Sequence, residues 1–96
     1  MAHVVVAPAA IADLDALIHS HSLPGDTRGR FKRSMRPLAE FPLLGAPLAG
    51  RWDGFRFILG PWRWMIVVYR YDDPGNLVEI VTIQDGRSAR SVTALR

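Results

Sequence analysis

Eleven of the twelve basic side chains are arginine, and Lys32 is the one lysine. Arginine offers a planar, permanently charged fork matched to phosphate and carboxylate, whereas lysine is a titratable point charge. The chain is therefore rich in groups that hold anions and nearly without lysine general bases. Arg56 lies in one strand-like run, while Arg87, in an Asp85-Gly86-Arg87 corner, and Arg90 flank the end of the last. Arginines gathered at the end of a small sheet would grip something anionic. Arg63 and Arg70 have opposite parity along one run, so at most one can join such a patch. Each reads as an ordinary surface or ion-paired arginine near Asp72 and Asp73. His19 and His21 sit two apart, on different sides of a helix, with no acidic partner at ligand spacing. With His3 alone elsewhere, neither a metal site nor a cofactor is expected.

These groups need elements to position them. Residues 3–7 read as a short strand because Val4, Val5 and Val6 are β-branched. Pro8 suits the first turn of a helix, where its missing N–H is harmless. Ile11, Leu14, Leu17 and Ile18 then recur at helical spacing over 8–22, with Asp13 and Asp15 pointing elsewhere. Asp26 or Thr27 can cap a second helix whose apolar face holds Phe31, Met35 and Leu38. Arg28, Lys32 and Arg36 form a basic stripe on its other face, read as solvated. Pro37 predicts a kink or stop near Arg36. A Pro- and Gly-punctuated connector over 41–47 leads to three strand-like runs, at 54–59, 62–71 and 77–83.

Short loops between those runs force antiparallel pairing, since a parallel return needs a crossover of about a dozen residues. The order β-α-α-β-β-β predicts one α+β domain over 1–96, a helical hairpin packed on a small, mainly antiparallel sheet. In the first late run Phe55, Phe57 and Leu59 share a face that reads as inward, which puts Arg56 and Ile58 on the other. The second is apolar on both faces, as a central strand must be. Trp62 and Trp64 share parity there and could line a groove for an apolar segment.

The chain has 96 residues, 49% hydrophobic and 22% charged, which fits a folded domain with one modest core. No apolar run approaches the ~20 residues of a membrane helix. The absence of cysteine excludes disulfides and cysteine nucleophiles. The opening residues lack a basic-then-apolar signal, so a cytoplasmic protein with no membrane partner is expected.

Taken in order, several segments resemble the RelE/ParE superfamily, the toxic half of bacterial type II toxin–antitoxin pairs. They are 7–14 opening the first helix, 38–45 after the second, Gly54-Phe55-Arg56, 67–72, and 78–83 followed by Gly86-Arg87. The resemblance covers nearly the whole chain. It implies a cognate antitoxin whose disordered arm folds across the toxin, and a possible toxin–antitoxin hetero-oligomer. Trp62, Trp64, Phe31 and Met35 are the candidate antitoxin contacts.

The superfamily divides into RelE-like ribonucleases, which cut messenger RNA on the ribosome, and ParE-like proteins described as poisons of DNA gyrase. Cleavage through a ribose hydroxyl needs a proton acceptor, a proton donor and charge to stabilise the phosphorane. RelE-like enzymes resemble one another in a Lys/Arg cluster on the sheet and a tyrosine beyond the last strand's arginine. Arg56 and Arg87 match two of those positions. Ile58, Ile66 and the tyrosine-free segment 88–93 stand at the others, and no lysine or histidine follows residue 33. The resemblance thus implies a ParE-like, non-cleaving toxin with Arg56, Arg87 and Arg90 as target contacts. The alternatives are a ribonuclease in which Arg56 and Arg87 are catalytic, with ribosome and messenger as partners, or a non-toxic antitoxin-binding member.

Overall fold

In the computed structural model, which describes residues 1–88, five strands and three helices form two layers. Strand β1 (His3–Val6) leads into α1 (Pro8–Ser20), α2 (Thr27–Met35) and the one-turn α3 (Pro37–Glu40). A two-residue strand β2 (Ala46–Pro47), a 3-10 turn (Gly50–Trp52), β3 (Arg56–Leu59), β4 (Met65–Asp72) and β5 (Leu77–Asp85) follow. The sheet order is β1-β5-β4-β3-β2, with β1 parallel to β5 and every other pair antiparallel. Among the described residues no helix is long and apolar enough to cross a membrane.

The α+β architecture and the helix positions are those expected. Pro8 opens α1, and Pro37, unable to donate an N–H, ends α2 at Met35 and opens α3. Three details differ. The connector contributes β2, because Ala46 and Pro47 fall opposite Phe57 and Arg56 and pair at the sheet's edge. Trp62 and Trp64 lie in the β3–β4 turn and not in a strand, since β4 begins only at Met65. Finally, Asp13 faces the sheet, accepting hydrogen bonds from Thr82 Oγ1 at 2.7 Å and Ile83 N at 3.1 Å. It steadies a bulge at which Val81 is skipped between the Val68–Thr82 and Tyr69–Ile80 pairs.

Strand β4 is buried from Met65 to Tyr69. Met65, Val67 and Tyr69 join Val78, Ile80 and Ile83 of β5 under Ala10, Leu14, Phe31, Met35 and Leu38 of the helices. Directly opposed residues of neighbouring strands share a face. Arg56 opposes Tyr69 and Ile58 opposes Val67, so both lie on the helix side, and Phe57 with Leu59 faces away. The expected assignment of the phenylalanine face as inward is thus reversed. The register with β4 decides it, because alternation alone cannot say which face the helices take.

On that helix side Tyr69 and Arg56 fasten the 41–45 loop. The Tyr69 hydroxyl donates to Pro42 O and accepts from Gly45 N, both at 2.8 Å. Arg56 Nη1 donates to Gly45 O at 2.8 Å and to Leu43 O at 3.3 Å. A Cβ at Gly45 would sit 2.6 Å from Phe57 O and 2.8 Å from the Tyr69 ring, so only glycine permits this approach. Tyr69→Phe orphans the Gly45 N–H and the Pro42 carbonyl, and should lower stability by about 1–3 kcal/mol. Urea unfolding would measure that loss, and amide exchange at Gly45 should accelerate with it.

Candidate functional site

The end of the sheet at which β4 starts and β5 stops brings together side chains from four separate stretches of chain. Asp85, the last residue of β5, is their junction. Its Oδ2 accepts from His21 Nε2 at 3.0 Å and from Arg87 Nη2 at 2.9 Å. Its Oδ1 accepts from Arg87 Nε at 3.0 Å and from the Arg87 backbone N–H at 2.9 Å. The His21 ring stacks on Trp64, centroids 4.6 Å apart and planes 14° from parallel. The Arg87 guanidinium lies over the same indole, 4.9 Å from its centroid. Trp62 stands 6.5 Å from Trp64, with the guanidinium of Arg30 5.7 Å above its own ring.

Local sequence explains each placement. His21 caps the C-terminus of α1, where Leu23 N bonds to Ile18 O and Ser22 N to His19 O. That pattern closes the helix with Ser22 in the left-handed region, φ 49°. Trp64 and the Asp85-Gly86-Arg87 corner are joined through Gly86 N, which donates to Trp64 O at 2.6 Å. A Cβ on Gly86 would meet Ile66 at 2.9 Å, so the corner needs glycine to close so tightly.

Chief among the causes that hold the Asp85 carboxyl far below the usual carboxylate range are the Arg87 guanidinium bonds; the Arg87 amide and His21 add to them, against partial burial. The carboxylate can only accept, so in the neutral ring Nε2 of His21 carries the proton and Nδ1 accepts from Ser20 Oγ at 2.8 Å. Loss of solvation pushes both tyrosine hydroxyls, Tyr69 and Tyr71, above their ordinary value, and Asp73 adds to the effect at Tyr71. Among the described residues no group of three or more His, Asp or Glu side chains could hold a metal ion.

Of the residues singled out from sequence, Arg87 stands at this end of the sheet and is exposed. Arg56 does not join it; its guanidinium is engaged with the 41–45 loop. Arg90 falls outside the described residues. Trp62 and Trp64 belong to the sheet end, whereas Phe31 and Met35 are buried and line a separate groove. That groove, about 500 Å³, runs between α2 and β1, with Val4, Val6 and Ala39 on its walls and Lys32 and Arg36 among its lining. Arg28, the third member of the basic stripe, pairs with Asp15 of α1. Arg70 pairs with Glu79 across the strands at 2.9 Å, not with Asp72 or Asp73. The participant missed from sequence is His21. Its partner Asp85 lies 64 residues away, and only the helix-closing turn, with serine where glycine is usual, hinted at its direction.

A helical layer packed on this mixed sheet is the architecture of the RelE/ParE toxins. The RelBE toxin–antitoxin complex of Mycobacterium tuberculosis matches with a TM-score of 0.67 and 23% identity, covering 88% of this chain and 96% of the other. A chromosomal ParDE system from P. aeruginosa matches at 0.66 and 24%, with the same coverage. The E. coli RelBE complex matches at 0.65 and 14%, covering 92% of this chain and 100% of the other. No curated protein sequence matches the chain.

Residues 4–90 match the family described as ParE toxin of the type II toxin–antitoxin system parDE, and the chain belongs to that family. It is the toxin of a type II toxin–antitoxin system.

The depressed carboxyl has a definite signature in acid. A group whose folded pKa lies below its unfolded value of about 3.9 stabilises the fold fully above that value and loses the effect as pH falls towards the folded one. The stability difference between the native chain and Asp85→Asn should therefore be constant above about pH 5 and shrink steadily below about pH 4. Thermal unfolding of both proteins across that range checks it.

Proposed function

We propose that this ParE-family toxin acts by holding its target, DNA gyrase, through the sheet-end surface centred on Arg87, and that it does not cleave RNA. The observation that carries this reading is the state of the one histidine at the site. Both ring nitrogens of His21 are bonded, Nδ1 to Ser20 and Nε2 to Asp85, and its face is stacked on Trp64. A general acid or base must come within hydrogen-bond reach of the proton it moves, and both nitrogens of His21 are turned to groups of the protein itself. The tyrosines offer no substitute: Tyr69 is buried under the loop it fastens, and Tyr71 bonds Asn76 at the other end of β4. Arg87, by contrast, is engaged by Asp85 along one edge only, through Nε and Nη2. Its remaining N–H groups, with exposed Arg63 in the adjoining turn, supply charge and donors to a bound surface.

Neutralisation is assigned to the groove between α2 and β1. The α2–β1 groove has an apolar floor of Phe31, Met35 and Val4, with Lys32 and Arg36 beside it. It fits an amphipathic segment carrying acidic residues, which a cognate antitoxin arm would supply. Trp62 and Trp64, which do not line this groove, are assigned to the target-facing surface.

A second reading rests on the same His21. A histidine beside an arginine is what a cleaving site recruits, and release of Nε2 or Nδ1 would make it a RelE-like ribonuclease acting on ribosome-bound message. Purified toxin tests the two. The binding reading predicts loss of gyrase supercoiling with messages intact in a translating extract, and at least about tenfold weaker inhibition by Arg87→Ala. Cut messages with supercoiling unaffected would overturn it. For the groove, Lys32→Glu with Arg36→Glu should weaken antitoxin binding about tenfold or more in calorimetry while Arg87→Ala leaves it unchanged.

A further inference from the structure

An exposed arginine bonded to an aspartate two residues away would ordinarily be loose. Such a pair is local and wet, and exposed ion pairs hold geometry poorly. The Arg87 side chain is 63% exposed, yet its partner Asp85 is only 19% exposed and is held from a second direction by His21. Each oxygen of Asp85 accepts two bonds, which fills the usual capacity of a carboxylate. Trp64 closes the arrangement, since the same indole carries the His21 ring and the Arg87 guanidinium.

We propose that His21 is a positioning residue for Arg87: through Asp85 and Trp64 it fixes the direction in which the guanidinium meets the target. The proposal rests on the reading of Arg87 as a target contact, but the clamp itself can be tested without any target. His21 is suited to the role because it is immobilised from its own helix. The Ser20 hydroxyl holds Nδ1, and the closing turn at Ser22 and Leu23 fixes the backbone beneath the ring. The arrangement is a static brace on the arginine. A ring kept merely for packing would need neither bond; here both nitrogens point at partners that lead to Arg87 or back to α1.

The test is the Arg87 Nε–H signal in nitrogen-edited NMR of the full chain, read for exchange with water and for contacts to the Trp64 ring. In the native protein that proton should exchange slowly and show those contacts. His21→Ala should speed its exchange about tenfold and erase the contacts, the size expected for losing one charge-assisted bond and its brace. His21→Gln, which can still donate to Asp85, should restore most of the slow exchange. Ser20→Ala, a change at an exposed hydroxyl, should give a smaller acceleration in the same direction. In the supercoiling assay His21→Ala should weaken inhibition several-fold, less than Arg87→Ala, and His21→Gln should recover it. An Arg87 signal unchanged in both His21→Ala and Ser20→Ala would overturn the brace. So would a loosened Arg87 with full inhibition while Arg87→Ala has lost it. A loosened Arg87 with inhibition unchanged in both His21→Ala and Arg87→Ala would keep the brace and remove the target-contact reading instead.

Discussion

Everything in this domain is placed by β4, a strand that must be covered on both faces and paired on both edges. Five consecutive residues, Met65 to Tyr69, are buried, so neither side of the strand can be left to solvent. Placing β5 on one side and β3 on the other satisfies its backbone, and the helices take the face of Val67 and Tyr69. Arg56 then has no choice of side. Opposite Tyr69, it is drawn under the 41–45 loop, where two carbonyls take its guanidinium. A residue with the right type and position for a basic surface becomes a structural fastener, because the strand beside it is already committed.

The same strand fixes the site at its beginning. Trp64 immediately precedes β4 and Asp85 closes β5 opposite Met65, so the indole and the carboxylate are set side by side by register. The closing turn of α1 brings His21 to both. The result is a surface in which charge is displayed and proton-transfer groups are tied. Chemistry on a phosphodiester asks for the reverse, a proton site free to move within reach of the substrate. A binding surface asks for rigid donors, since ordering a long side chain at the moment of contact costs affinity. The proposed brace on Arg87 would meet the second requirement.

The fold class, the helical hairpin and the central strand could be read from the chain, because long periodic segments and punctuating prolines act locally. Pro8 and Pro37 set helix starts wherever the chain goes afterwards. The place of Arg87 at the end of the sheet could also be read, since a Gly-Arg corner after a strand has few other places to be. The face of Arg56 could not, because alternation gives two faces without saying which is covered. The turn position of Trp62 and Trp64 was hidden by their strand-like alternation with Arg63. His21 was hidden for a different reason: its meaning depends on Asp85, far along the chain, and on a helix ending at a serine in a left-handed conformation. Long-range pairing of short polar side chains leaves no periodic trace.

Stoichiometry separates holding from cutting most directly. Toxin titrated into a fixed amount of gyrase should abolish supercoiling in proportion to the toxin-to-gyrase ratio, and added cognate antitoxin should restore it. If instead toxin far below stoichiometry depletes full-length message on translating ribosomes and leaves gyrase active, the molecule turns over a substrate, and an account built on a tied histidine and a braced arginine is wrong.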